Sequence, residues 1–513
     1  MSQTPPEPPA PAAESAAADA VKVVSGGGIV MAGGLIDRAL RVLVAMLLAQ
    51  TLSVSDFGTY QYVVKALMVV AVLAPMGQDI SMVFFGARFR RSNERAKLKG
   101  AFLMGASFTA TSAVLLAAAA TTAIQQGLVG DAGYQEELLL FAPVIVLMPL
   151  LLFTVSCLRA FKDMRSNALA FNIVVPGTLL LGMIVGVWGM GGGVRTALLV
   201  LLGSLVFGLI TAVALAWRHY GPLLRDRSLK PVFAVRKQLT YAVPQGLMGV
   251  VYRMSTWMDA LMLGTLLGTV EVGYYSPAAS LALLGTLPTV SLNMMFNPVI
   301  SELVQIRELA RLETILQILT RWLLLLAVPI FAALMLLPDA AIIALFGEKY
   351  LPGVGALMIL AVGQAFVAIL APTTRIIPMS GYSLLNLING LVAFALTAGL
   401  NYALIPRYGI MGAAAGTSIT LSAWSLWRVV EVRHLLHISP FSRQTLLIGG
   451  VSTATLTAAI LLTTGAPMLT RALVLVGFGA AYAAFVYVFG RSKDDHLILA
   501  PIQKRLQRLL RRK

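Results

Sequence analysis

The sequence predicts an all-α polytopic membrane protein of about 14 transmembrane helices. These form two six-helix lobes in a parallel pseudo-repeat, followed by two C-terminal helices. Three observations predict this class. Hydrophobic residues make up 58% of the 513 and charged residues 12%, roughly half the share usual in soluble domains. Apolar runs of about 20 residues recur from end to end, each long enough to cross a hydrocarbon core of about 30 Å. Motifs recur at offsets of 215 and 220 residues. No run alternates apolar and polar residues as a barrel strand does.

Residues 1–24 are rich in Pro, Ala and Glu and lack a basic stretch before an apolar core, so they read as a disordered cytoplasmic tail and not a signal peptide. The first lobe, 25–217, holds spans at roughly 25–52, 59–86, 100–126, 138–160, 167–188 and 195–217. Residues 218–237 are a cytoplasmic linker. The second lobe, 238–434, holds spans at roughly 238–264, 272–300, 320–346, 353–378, 383–405 and 410–433. The stretch 435–490 carries two more, at roughly 443–465 and 469–490. In the basic tail 491–513, Ile502, Leu506, Leu509 and Leu510 recur at helical spacing opposite Lys504, Arg505, Arg508 and Arg512. That is the pattern of a helix lying on anionic membrane lipids.

The net charge is +17, and its distribution explains it. One set of loops holds Arg88, Arg90, Arg91, Arg95, Lys97 and Lys99, then Arg218, Arg225, Arg227, Lys230, Arg236 and Lys237, then eight more from Arg491 to Lys513. The opposite loops hold only Arg195, Lys349, Arg407 and Arg471. The positive-inside rule puts the basic face, and both termini, in the cytoplasm, and no nucleic-acid partner is implied. The opposite loops are short, which disfavours a membrane enzyme with an outer catalytic loop. No phosphate-binding loop motif occurs. His219, His434, His437 and His496 lie at span edges without metal-ligand spacing, and Cys157 stands alone. Neither a metal, a cofactor nor an intramolecular disulfide is expected.

The repeat is read from residues. At an offset of 215, Arg38 falls on Arg253, Asp56 on Glu271, Gly58 on Gly273 and Tyr60 on Tyr275. At an offset of 220, Gly189 and Gly192 fall on Gly409 and Gly412. The shift joins spans of like orientation, so the axis relating the halves runs along the membrane normal. Transporters of that design bind substrate between halves that rock.

Charges inside spans are the functional signal. Each costs roughly 2.5–3.5 kcal/mol at a helix centre, and such residues face a bundle interior or a cavity. Arg38 and Arg253 occupy equivalent deep positions, and two guanidiniums suit a diphosphate. Arg41 and Lys65, the latter placed in the second turn of its span, are further cationic candidates. Asp37 is four residues from Arg41 and shares its face, so it reads either as a counter-ion or as a proton site. Asp259, six residues from Arg253, is the other ion-coupling candidate. The bland reading, in which all these charges pair across helices and only fix packing, stands beside the functional one.

Several stretches together carry a resemblance. They are LLAQTLSVSDFGTYQYV (Leu47–Val63), VGYYSPAASLALLGTLP (Val272–Pro288) with NPVISEL (Asn297–Leu303), and LFGEKYLPGVGALMIL (Leu345–Leu360) with LIPRYGIMGAAAGTSI (Leu404–Ile419). In order and spacing this pattern resembles the polysaccharide/oligosaccharide flippases of the multidrug/oligosaccharidyl-lipid/polysaccharide (MOP) superfamily. The resemblance implies a bacterial inner-membrane transporter, not an enzyme. It would flip polyprenyl-diphosphate-linked oligosaccharide units to the outer face by alternating access, for O-antigen, capsule or exopolysaccharide synthesis. It also implies cationic cavity residues, H+ or Na+ coupling, and a polysaccharide polymerase and chain-length co-polymerase as partners. A cation-coupled drug or metabolite antiporter and a lipid II-type peptidoglycan-precursor flippase are the alternatives.

Overall fold

The computed structural model describes residues 33–128, 133–380 and 382–489, and every regular element among them is helical. The expected tails at 1–24 and 491–513 lie outside these residues. The chain forms two compact units, Met1–Thr51 with Val63–Val250, and Leu52–Tyr62 with Val251–Lys513.

The first unit opens with α1, helical over 33–51. Helix α2 (Val54–Leu73) starts where the Ser53 hydroxyl accepts the Asp56 amide at 3.0 Å and so satisfies one of the N–H groups a helix start leaves open. Only the part of α2 beyond Tyr62 belongs to this unit. A break before α3 (Gln78–Arg91) needs Gly77, at φ 78°. A Cβ there would stand 2.0 Å from the Ala242 carbonyl oxygen. Next come α4 (Arg95–Gln125), α5 (Gln135–Phe141) and α6 (Val144–Ala160). Helix α7 (Met164–Gly189) contains two π-helical stretches, Ala168–Val174 and Ile184–Gly189, and α8 is Val194–Arg225. Helices α3, α4 and α8 pack around α6. Their core joins Met82, Phe85 and Phe89 to Leu98, Phe153, Cys157 and Tyr220. Helix α9 (Val235–Leu266) starts in this unit and ends in the other.

The second unit continues with α10 (Thr269–Leu284), α11 (Leu287–Gln305), α12 (Leu309–Leu336), the short α13 (Pro338–Leu345) and α14 (Glu348–Met379). Helix α14 packs against α10, α11, α12 and α15 (Ser383–Leu436). A straight helix would hold residues 42 apart about 63 Å from each other. Yet Asn389 donates to Glu431, and Gly416 lies against Asn401. The chain therefore reverses within α15. The reversal sits at Gly409, whose φ of 59° and ψ of −134° only glycine adopts readily. Two antiparallel arms result, matching the expected spans 383–405 and 410–433. Helices α16 (Arg443–Thr463) and α17 (Met468–Phe489) pack on α12. Their exposed Leu461, Leu462, Leu469, Leu473 and Val476 make a face suited to lipid tails.

Among the described residues ten helices are long and apolar enough to cross a membrane, and the chain is a multi-pass membrane protein. The ten differ from the expected fourteen for physical reasons. The segment Leu384–Leu436 counts once although its bend divides it. The expected span 25–52 begins outside the described residues. That at 238–264 carries Arg253 and Asp259, and that at 272–300 is divided at Gly285 into α10 and α11.

Candidate functional site

In the first unit, Asp37, Arg38 and Arg41 lie on α1. A Cβ on Gly33 would come within 3.0 Å of Asn172 Nδ2 and 3.3 Å of Ala168 Cβ, so α1 is seated closely on the first π-helical stretch of α7. Such stretches are frequent at functional sites. Arg41 Nε donates to Asp37 Oδ1 at 2.8 Å, the ion pair expected from their spacing. Arg38 points about 100° around the helix from Asp37. It is exposed and has no ion pair or hydrogen bond with a described residue. Lys65 is half-buried and interacts with its surroundings. It lies in the middle of α2, not in its second turn, because the Ser53 cap starts the helix at Val54.

In the second unit, Arg253 is half-buried on α9 and makes no hydrogen bond or ion pair with a described residue. Asp259, further along the same helix, accepts a hydrogen bond from the Tyr275 hydroxyl. Tyr275 is buried at 1% exposure. The structure thus joins Asp37 to Arg41 and Asp259 to Tyr275. It leaves a guanidinium at the same repeat position of each half outside those pairs. Among the described residues no group of His, Cys, Asp and Glu could hold a metal ion.

One charged cluster was not read from the sequence. Arg428 and Glu431, 1% and 7% exposed, form an ion pair at 3.3 Å inside the second unit. The Arg428 guanidinium lies 4.4 Å from the Trp424 ring centroid and donates to Asn386 Oδ1. Glu431 Oε1 accepts from Trp427 Nε1 at 3.0 Å and from Asn389. The only signal was a double i, i+3 spacing, Asn386 with Asn389 and Arg428 with Glu431, in otherwise apolar arms.

Comparison with known proteins adds the following. A family model described as polysaccharide biosynthesis protein matches residues 23–304. Among curated proteins, no sequence matches the chain. Among solved structures, the lipid II flippase MurJ in an inward closed conformation is similar, with a TM-score of 0.69 at 15% identity, covering 90% of this chain and 99% of that one. An inward-facing multidrug resistance MATE family transporter of the MOP superfamily gives a TM-score of 0.63 at 13% identity, covering 80% and 98%. A mutant of the Vibrio cholerae MATE transporter VcmN gives 0.57 at 14% identity, covering 83% and 98%. At such identities the likeness is one of fold.

Proposed function

The chain belongs to the polysaccharide biosynthesis protein family, and from that membership and its likeness in fold to MOP-superfamily transporters we propose that it flips polyprenyl-diphosphate-linked oligosaccharide units across the bacterial inner membrane. The units move from the cytoplasmic to the outer face by alternating access and supply O-antigen, capsule or exopolysaccharide synthesis. Both termini are cytoplasmic, and a polymerase and a chain-length co-polymerase take up the product outside. In this reading the protein carries out no covalent chemistry.

The observation that carries the reading is the matched pair Arg38 and Arg253. Each is a permanent cation that forms no ion pair with a described residue. Guanidiniums grip phosphate oxygens bidentately, so the two are assigned to the diphosphate, with Arg41 and Lys65 in supporting roles. Asp37 and Asp259 are the candidate groups for H+ or Na+ coupling. A drug-exporting reading calls for cavity carboxylates. It is weakened by the engagement of Asp37 with Arg41 and of Asp259 with Tyr275. A second reading, lipid II as cargo, draws on the similarity to the lipid II flippase MurJ and would use the same two arginines.

The test is complementation. In a deletion strain, wild-type protein restores surface polymer, and Arg38→Ala at equal abundance does not. Restored peptidoglycan-precursor flipping without polymer would favour the lipid II reading. Drug susceptibility as the only phenotype would favour the exporter.

A further inference from the structure

A cavity of about 220 Å³ opens in the first unit where the α3–α4 turn, the α6–α7 turn and the end of α8 meet. Arg90, Asn93, Arg95 and His219 supply its polar wall, with Phe161 and Leu98 among its apolar side. The Phe161 ring stacks on His219 at 4.7 Å and lies 5.5 Å beneath the Arg90 guanidinium, so two polar groups are held by one aromatic. No carboxylate lines the space. The nearby acids are each paired: Asp163 faces the lining His219 at Nε2, 3.0 Å away, Glu94 takes Lys97 and a 2.7 Å hydrogen bond from Ser92, and Asp226, near enough to feel the Arg95 charge, accepts the Ser228 amide at 3.1 Å.

Helix stability does not explain this arrangement. Arg95 is the first residue of α4, where the helix dipole disfavours a cation. The positive-inside tendency calls for basic loops, but not for two guanidiniums lining one aromatic-backed hollow.

We propose that this cavity is a phosphate-ester site, built for the headgroup phosphate of an anionic membrane lipid. Guanidinium forks match phosphate oxygens, and the apolar side accommodates the first carbons beyond the ester. At about 220 Å³ it falls below the roughly 300–1,000 Å³ of sites for drug-sized ligands. It therefore takes a headgroup and not a lipid-linked sugar, which separates it from the translocation pathway. Its opening toward the cytoplasmic leaflet rests on the orientation proposed above.

The test uses the full chain in nonionic detergent. Dihexanoyl phosphatidylglycerol, dihexanoyl phosphatidylcholine and inorganic phosphate are titrated calorimetrically against wild type, Arg95→Gln and Arg90→Gln/Arg95→Gln. Saturable binding of the glycerol lipid is expected, stronger than that of the choline lipid. It should weaken about tenfold in the double variant and by less in Arg95→Gln, whose side chain is exposed. Inorganic phosphate bound with the same arginine dependence identifies a soluble phosphate ester as the natural ligand, and its failure to bind identifies the lipid. Binding of none of the probes, or equal binding by wild type and both variants, overturns the site. Transport is not measured, so the result stands apart from the fate of the flippase reading.

Discussion

Gly58 and Gly273 pack reciprocally. A Cβ on Gly58 would stand 1.8 Å from the Thr269 carbonyl oxygen, and one on Gly273 would stand 2.3 Å from that of Val54. The offset of 215 that carries Gly58 onto Gly273 also carries Val54 onto Thr269, so the internal repeat is visible as one contact made twice. The Thr59 hydroxyl adds a hydrogen bond to that of Thr269 at 3.1 Å. No larger side chain fits either position without moving backbone. Gly58→Ala and Gly273→Ala are each expected to cost about 1–3 kcal/mol, read as a lower melting temperature in detergent. Gly399→Ala, with no atom near its added methyl, should melt at or above the wild-type temperature.

The buried pair Arg428 and Glu431 makes a second prediction. Removing one partner strands a charge away from water, which costs about 3–5 kcal/mol, whereas replacing both with apolar residues is often close to neutral. Glu431→Leu should therefore melt well below wild type, and Arg428→Met/Glu431→Leu should regain most of the loss. Equal melting of wild type and the single variant would show that the pair does not hold the two arms of α15 together.

A pH effect is expected at the α6–α7 turn. Burial alone would raise the Asp163 carboxyl, but hydrogen bonds from His219 and Ser166 outweigh it and hold the group below the usual aspartate range. A carboxyl depressed in the folded state stabilises above its unfolded pKa, and that stabilisation is lost as pH falls through the folded value. Asp163→Asn should thus melt below wild type at pH 7, and the gap should close in acid, below about pH 4. A gap that stays constant down to pH 3 would contradict this assignment.

Asp37 separates two roles. Its 2.8 Å contact with Arg41 favours the counter-ion role. Asp37→Asn should then lower transport without moving its pH profile. A shifted or flattened profile would instead make Asp37 the group that takes up the coupling proton.

Much of the architecture was legible because it depends on local pattern. Span positions follow from runs of apolar residues, and Gly409 stood out as the counterpart of Gly189 before its backbone angles explained why it is glycine. The Asp37–Arg41 pair followed from a four-residue spacing on one helix. What was not legible depends on distant packing. The break at Gly77 lies against the Ala242 carbonyl, far along the chain, and the α10–α11 break at Gly285 faces the Phe331 ring. The environment of Arg428 and Glu431 has no local signal, because Asn386 and Asn389 reach them only after α15 turns back. Tyr275 was read as a repeat marker, and nothing in its neighbours announced that its hydroxyl meets Asp259.

The most direct measurement is flipping itself. Purified protein is placed in liposomes containing a fluorescent polyprenyl-diphosphate oligosaccharide, and the fraction reaching the far leaflet is followed in time. Wild type should accelerate transfer, whereas Arg38→Ala and Arg253→Ala, folded by melting, should each slow it at least about tenfold, the size of one lost charged phosphate contact. Wild-type rates in both variants would contradict the assignment of these two arginines to the diphosphate.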